Sequence, residues 1–125
     1  MQELGLLPLD VNQFYTRQGA AGQVRFIDKF LVPAAGRQAF LERVRINREF
    51  IKKLPGFVED AAYERTDEQG SLVFITVAVW AHEQALQKAK EAVQAGYKQE
   101  GFNPAAFWEK LGISMDRGVY TIAGH

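Results

Sequence analysis

The sequence contains no cysteine, and this absence excludes disulfides, cysteine-ligated metal sites and thiol catalysis. Its two histidines, His82 and His125, are too few for a histidine-rich metal site. Fifteen basic residues balance fifteen acidic ones, so the chain lacks the positive excess that binding to nucleic-acid phosphates requires. No apolar run reaches the roughly 18 residues of a membrane span, and the first residues lack the basic start of a signal peptide. We therefore expect a cytoplasmic protein of one domain.

The hydrophobic pattern predicts an alternation of strands and helices. Strands are predicted over 24–32, 57–65, 72–80 and 115–123, long helices over 35–54 and 83–99, and a short third helix begins after Asn103 as N-cap. This order predicts an α+β, ferredoxin-like split βαβ (βαββαβ) fold with a four-stranded antiparallel sheet and both main helices on one face. Residues 1–21 are the least patterned and are predicted to be an N-terminal extension.

The strand predicted over 72–80, LVFITVAVW, is apolar on both faces. Val73, Ile75, Val77 and Val79 point one way, and Leu72, Phe74, Ala78 and Trp80 point the other. Because the helices cover only one side of such a sheet, the other side needs a second cover. A second copy of the chain is the simplest one, so the sequence predicts a homodimer with its sheets packed face to face.

Two motifs flank the predicted hairpin. The first is Leu54-Pro55-Gly56-Phe57, and the second is Trp80 followed by Ala81-His82-Glu83-Gln84-Ala85-Leu86. Over residues 23–123 the chain thereby resembles the antibiotic biosynthesis monooxygenase (ABM) domain family of dimeric α/β barrels, which assigns residues 22–125 to an ABM-like domain. That family includes cofactor-independent oxygenases of polyketide or quinol substrates, haem-degrading enzymes, and members without an established activity. If the chain is an oxygenase of this family, the resemblance implies a reaction that uses no metal or flavin.

The haem-degrading branch of the family uses an Asn on the first strand, with a Trp and a His on the second helix and just after it. An ungapped comparison places Asp28, Ala89 and Gln99 at those positions. None of the three matches, so the resemblance implies that haem degradation of that kind is absent. His82 also departs from the family, which has a small residue at the start of this helix.

Asp28 is the first candidate catalytic residue. It shares one face of the first strand with four apolar residues, Val24, Phe26, Phe30 and Val32. Burial there would disfavour the charged form and make the carboxyl a proton acceptor for a phenol or hydroquinone. The alternatives are an ion pair with an Arg or Lys, or exposure near the rim of the sheet.

Three further polar residues are candidates, each with an alternative role. Asn47 lies in the middle of the apolar stripe of the first helix, where it either donates to a substrate carbonyl or to Asp28, or bonds to nearby backbone. Arg43 lies close to the same stripe and either anchors an anionic or phenolate group or stays solvated. His82 is either a catalytic acid or base or the cap of the second helix.

The chain is rich in aromatic residues, with nine Phe, four Tyr and two Trp. The predicted walls of a substrate pocket are Phe26, Phe30, Tyr63, Phe74 and Trp80. The alternative for the Phe and Trp residues is ordinary core packing, and the alternative for Tyr63 is packing across the sheet or the dimer seam. Small residues on the inner side of the second helix either leave room for a flat ligand or allow the helix to approach the sheet closely.

The leading hypothesis is a cofactor-independent monooxygenase of a flat aromatic or quinol-type molecule, bound in a pocket between sheet and helices. Its catalytic residues would be Asp28, Asn47 and His82, and its partners a second copy of the chain and the small aromatic molecule, with no nucleic acid or membrane. The alternative is a non-catalytic module with the same dimeric fold, which binds a small molecule or is purely structural. An enclosed cavity of about 300 Å³ or more lined by Asp28 and Asn47 would favour the enzyme, and a solid interior would favour the module.

Overall fold

The computed structural model describes residues 22–124, so the extension predicted over residues 1–21 and His125 lie outside the described residues. The strands are β1 (Val24–Val32), β2 (Phe57–Thr66), β3 (Leu72–Trp80) and β4 (Ser114–Tyr120), and the helices are α1 (Arg37–Ile51), α2 (Glu83–Glu100) and α3 (Pro104–Leu111). This order confirms the α+β, ferredoxin-like βαββαβ arrangement predicted from the sequence.

The four strands form one antiparallel sheet in the order β2-β3-β1-β4. β1 is therefore central, and β4 is an edge strand of this sheet. In the register of the sheet, Asp28 lies opposite Thr76 on β3 and opposite Arg117 on β4. Because directly opposed residues point to the same face, these three side chains share one side of the sheet.

Two elements, the first long helix and the fourth strand, differ from their predicted bounds by more than one residue. The first long helix begins with a single 3₁₀ turn over Ala34–Gly36 and ends at Ile51, three residues before the predicted end. The N–H groups of Lys53 and Leu54 bond three residues back, which tightens the chain into a turn before Pro55. The fourth strand ends at Tyr120 rather than at residue 123, and Arg25–Tyr120 is the last pair between it and β1.

The helix-facing side of the sheet carries two separate apolar clusters. The first lies under α1 and contains Phe30, Val32, Phe40, Val44, Leu72, Phe74 and Ile113. The second lies under α2 and contains Val24, Ala78, Trp80, Ala85, Leu86 and Ala89. Along β1, Asp28 falls between these clusters. The core is therefore divided by a polar strip, defined by Asp28, Thr76 and Arg117, and this strip positions the candidate site.

The other side of the sheet, here called the outer face, is formed by the odd-numbered residues of β1 and β3, those of β2 from Glu59 onward, and the even-numbered residues of β4. Ile27, Ile75 and Val77 lie at its centre and are half-buried, whereas Tyr63 and Tyr120 are exposed. The face is thus apolar at its centre, as the sequence predicts. In the part of the chain that the structure describes, no helix is both long and apolar enough to span a membrane.

Candidate functional site

Asp28 lies at the middle of the helix-facing side, where the sequence places it, and it is 7% exposed. Both of its carboxylate oxygens accept hydrogen bonds from Arg117, at 2.7 Å from Nε and 2.8 Å from Nη2. The ion pair that the sequence left open as an alternative is therefore present. Each oxygen keeps a further lone pair, because a carboxylate can accept about four hydrogen bonds and Arg117 uses two.

Tyr97 stands near this ion pair, one turn before the end of α2. Burial raises the pKa of its phenol above the ordinary value, and the nearby Asp28 carboxylate acts in the same direction. Arg43 and Arg117 act against the shift, as does the neighbouring Asn47 side chain through hydrogen bonding. At neutral pH Tyr97 is therefore a neutral phenol that can donate a hydrogen bond.

Asn47 thus faces the interior at the position that the helical stripe predicts, and it is half-buried. We call Asp28, Arg117, Tyr97 and Asn47 the polar cluster. It combines a carboxylate, a guanidinium with unused N–H groups, a phenol and an amide on the helix-facing side of the sheet. This set of groups can accept a proton from a ligand and stabilise an oxyanion formed from it.

Arg43 is buried beside the cluster, with 8% of its surface exposed, rather than solvated. Its two terminal nitrogens donate to the carboxylate of Glu100, each at 2.7 Å, and its guanidinium stacks on the Phe102 ring at 3.7 Å. The hydrogen bonds that Arg43 donates to Glu100 raise the pKa of its guanidinium further. Arg43 therefore fastens α1 to the end of α2, and its binding of a substrate anion stays a prediction.

The structure does not bring His82 to the polar cluster. His82 is exposed and caps α2, and its Nδ1 accepts a hydrogen bond from the backbone N–H of Ala85 at 3.1 Å. This is the alternative role that the sequence left open. Tyr97 lies fifteen residues further along the chain, so the rise of α2 separates the two residues by roughly 22 Å. The expectation that His82 acts together with Asp28 is not supported by this geometry.

The aromatic residues predicted as pocket walls fall into three groups. Phe26 faces the polar cluster, with the Arg117 guanidinium 4.8 Å from its ring centre. Phe30, Phe74 and Trp80 fill the two apolar clusters, which is the core role left open as their alternative. Tyr63 lies on the outer face and is 60% exposed, so it cannot line a pocket between the sheet and the helices.

Two surface depressions of residues 22–124 lie beside α1 and at one end of the sheet. One of about 240 Å³ lies along α1, between Arg48 and Phe74. The other, of about 460 Å³, spans one end of the sheet beside Lys29 and Asp116. Neither depression is lined by Asp28 or Asn47, so neither is the enclosed pocket that we expect from the sequence. Arg117, Tyr97 and Asn47 instead meet in the region where that pocket is expected.

Metal ligands do not cluster in the described residues, where no three His, Asp or Glu side chains are grouped to hold an ion. The expectation of chemistry without a cofactor comes from the family resemblance and stays a prediction.

The sequence analysis missed two members of the cluster, Arg117 and Tyr97. Tyr97 is part of the apolar stripe of α2, so its pattern indicated core packing. The alternation along β4 shows which face of the strand Arg117 lies on. It does not show that Arg117 faces Asp28, because the two residues are 89 positions apart in the sequence. The signal that could have found it is the fourth-strand alternation of Met115, Arg117 and Val119, which places one cation among apolar residues.

No family model matches the sequence, and no curated protein matches it. Solved structures do match. A variant of SnoaB, a cofactor-independent oxygenase from Streptomyces nogalater, is 25% identical with a TM-score of 0.63, and the match covers 84% of this chain and 96% of that one. A candidate monooxygenase from Shewanella loihica is 23% identical with a TM-score of 0.63, over 83% and 97% of the two chains.

The monooxygenase ActVA-Orf6 of Streptomyces coelicolor, solved with Nanaomycin D, is 22% identical with a TM-score of 0.53. This match covers 85% of the present chain and 91% of ActVA-Orf6. The three structures share nearly their whole length with this chain. They confirm the fold that the two sequence motifs predict.

Proposed function

We propose that this chain, which has the fold of the antibiotic biosynthesis monooxygenase (ABM) domain family, is a cofactor-independent monooxygenase of a flat aromatic or quinol-type molecule. The observation that carries the proposal is the polar cluster, in which a buried carboxylate keeps acceptor capacity beside a guanidinium, a phenol and an amide. The similarity to SnoaB, a cofactor-independent oxygenase, supports the same class of reaction.

Asp28 is the proposed proton acceptor. A substrate hydroxyl approaching the polar cluster would donate to a lone pair of Asp28 that Arg117 leaves unused. Arg117 uses two of its five N–H donors on Asp28, so the others can bind the phenolate that forms. The side chain of Arg117 is 48% exposed and stands on the edge strand β4, which gives a substrate a route to the pair.

The proposed reaction converts a phenol and dioxygen into a quinone and water. The phenol O–H proton passes to Asp28, and the electron-rich phenolate ring reduces dioxygen. A carbon–oxygen bond then forms at a ring carbon, and the resulting peroxide anion takes the proton back from Asp28 to give a hydroperoxide. The O–O bond breaks as the C–H proton of that carbon leaves, and the second oxygen atom departs as water. Dioxygen is the oxidant, and the substrate supplies all the electrons, so no metal or flavin takes part in this balance.

Two neighbouring groups would orient the substrate in this proposal. Asn47 and Tyr97 each offer a hydrogen-bond donor to a second substrate oxygen, such as a carbonyl. The Phe26 ring offers an apolar surface next to Arg117 on which an aromatic ring can stack. Holding the ring against these groups places its hydroxyl at the carboxylate, which is how positioning lowers the barrier.

Oxygen uptake with a panel of hydroquinones and naphthohydroquinones tests the proposal. We expect the wild-type chain to consume dioxygen faster than the buffer control with at least one member. Isotopically labelled oxygen gas should place one labelled atom in the quinone product and the other in water. Hydrogen peroxide with no label in the product would identify simple oxidase chemistry, and no uptake across the panel would refute the proposal in favour of the non-catalytic module.

The proposal includes a homodimer that packs the outer faces of two sheets together, while a cytoplasmic location stays a prediction. The support is the apolar centre of the outer face, where Ile27 is directly opposite Val77 and Ile75 is opposite Tyr63. Leu31 and Tyr63 are 44% and 60% exposed there. Burying such a surface in a second copy stabilises association through the hydrophobic effect.

Replacing Tyr63 with glutamate should weaken this dimer. The new carboxylates would face the apolar centre of the partner sheet, and we expect the dimer dissociation constant to rise by about tenfold or more, equivalent to about 1.4 kcal/mol. The matched control is Ile46→Glu, which adds the same charge at a 38% exposed position on α1, on the opposite side of the sheet. Sedimentation velocity across a concentration series measures both variants. A monomeric wild-type chain, or an equal effect of the two variants, would contradict the dimer.

A further inference from the structure

The surface beside the polar cluster is positively charged. The Phe26 ring is contacted by two cations, with the Arg117 guanidinium carbon 4.8 Å and the Lys90 nitrogen 5.0 Å from its centre. The positive charge of Arg117 is balanced by the carboxylate of Asp28. Lys90 makes no salt bridge with a carboxylate of residues 22–124, so within these residues its positive charge beside Phe26 is not paired.

The same surface is apolar on either side of Arg117. Met115 and Val119 lie two residues before and after Arg117, on the same face of β4, and they are 38% and 44% exposed. Val119 is directly opposite Phe26 in the register of the sheet. An aromatic ring lying on this surface would therefore cover exposed apolar side chains while its edge reached two cations.

We propose that the substrate is an acidic aromatic compound, in which a carboxylate on the ring is bound by Lys90 and Arg117 while the ring stacks beside Phe26. The inference rests on the proposed function, because it names the substrate class of the same site. Arg117 bonds to Asp28 through one edge and offers its free N–H groups to an anion at the exposed edge. Lys90 contributes the charge that Asp28 does not cancel.

A matched pair of compounds tests this proposal. Naphthohydroquinone and its ring carboxylate differ only in the acidic group. Their dissociation constants are measured with the full-length chain by calorimetry without oxygen, and their KM values by oxygen uptake. At about 50 mM salt we expect the carboxylate to bind about tenfold more tightly, and this advantage should shrink at about 500 mM salt because salt screens exposed charges.

The variant Lys90→Met separates charge from packing. We expect it to remove most of the advantage of the carboxylate while leaving the affinity for naphthohydroquinone unchanged within about twofold. The matched control is Lys88→Met, which removes an exposed lysine two positions earlier on α2, and it should keep the full advantage. Circular dichroism verifies that both variants are folded.

The outcomes distinguish this proposal from the proposed function. Equal affinities of the two compounds for the wild type, no binding of either, or an equal loss for both compounds in Lys90→Met would overturn the acidic substrate class. Selective binding of the carboxylate without oxygen uptake would refute the oxygenase and leave the acidic ligand standing. Oxygen uptake with equal KM values would refute the acidic substrate class alone.

Discussion

Replacing Asp28 with asparagine should reduce oxygen uptake by about a hundredfold or more, because the proposed reaction begins with transfer of the phenol proton to this carboxylate. An amide of the same shape can still accept a hydrogen bond from Arg117 but cannot take up the proton. We expect the loss in kcat as well as in kcat/KM, since the interaction is made with the reacting group. Steady-state oxygen consumption with the best compound of the panel measures it.

The chain offers a closely matched control in Asp60. Its side chain is 9% exposed, against 10% for Asp28, and it too is paired with an arginine, at 2.6 Å from Arg48. Asp60→Asn therefore removes a buried charge of the same kind outside the polar cluster. We expect both variants to lose about 1–2 kcal/mol of unfolding free energy, because each arginine is partly solvated, while Asp60→Asn keeps its activity. Wild-type rates in Asp28→Asn would show that Asp28 is not the proton acceptor.

The largest effect on stability is expected for Gly56→Ala. Gly56 has a φ of 82°, and a Cβ atom there would lie 2.3 Å from the Cβ of Ala85 at the start of α2. Alanine would therefore add both left-handed backbone strain and a collision that neither backbone can relieve without moving. We expect a loss of about 3–5 kcal/mol in the free energy of unfolding, measured by urea denaturation.

Gly70→Ala isolates the backbone part of this loss. Gly70 has nearly the same φ, 83°, and a Cβ atom there would meet nothing within 4 Å. We expect a loss of about 1–2 kcal/mol, the cost of a left-handed conformation for a residue with a side chain. If the two alanine variants were equally destabilised, α2 would have yielded to the new methyl group, and the contact between Gly56 and Ala85 would not be a constraint on the fold.

That contact explains why the sequence predicted the fold better than the reaction. The two motifs on which the family resemblance depends meet in space. Gly56 packs against Ala85, and the Gly56 carbonyl accepts the N–H of Ala81 at 2.8 Å. The two motifs therefore mark the contact between the turn that precedes β2 and the start of α2. None of these residues belongs to the polar cluster, so the motifs carry little information about chemistry.

The candidate site was predictable only as far as local periodicity reaches. The alternation along β1 grouped Asp28 with the apolar residues of that strand, and the apolar stripe of the first helix placed Asn47 on its inner side. The structure agrees with both placements. The cation that faces Asp28 depends on the register between β1 and β4, which no local pattern specifies. Whether the aromatic residues wall a pocket or fill a core depends on packing between elements, so periodicity could not separate those alternatives.

The division of the core by Asp28 has a consequence for how the chain is made. Its cation is supplied 89 residues later, by a strand that the ribosome produces well after β1, β2 and β3. A nascent chain halted before β4 would hold the Asp28 carboxylate between two apolar clusters without the cation that pairs with it, a strongly unfavourable arrangement. Closing so long a loop is slow, so we expect the complete sheet to form late in folding, after β4 has paired with β1. The arrival of Arg117 therefore completes the polar cluster and removes the unpaired charge from the core of the sheet.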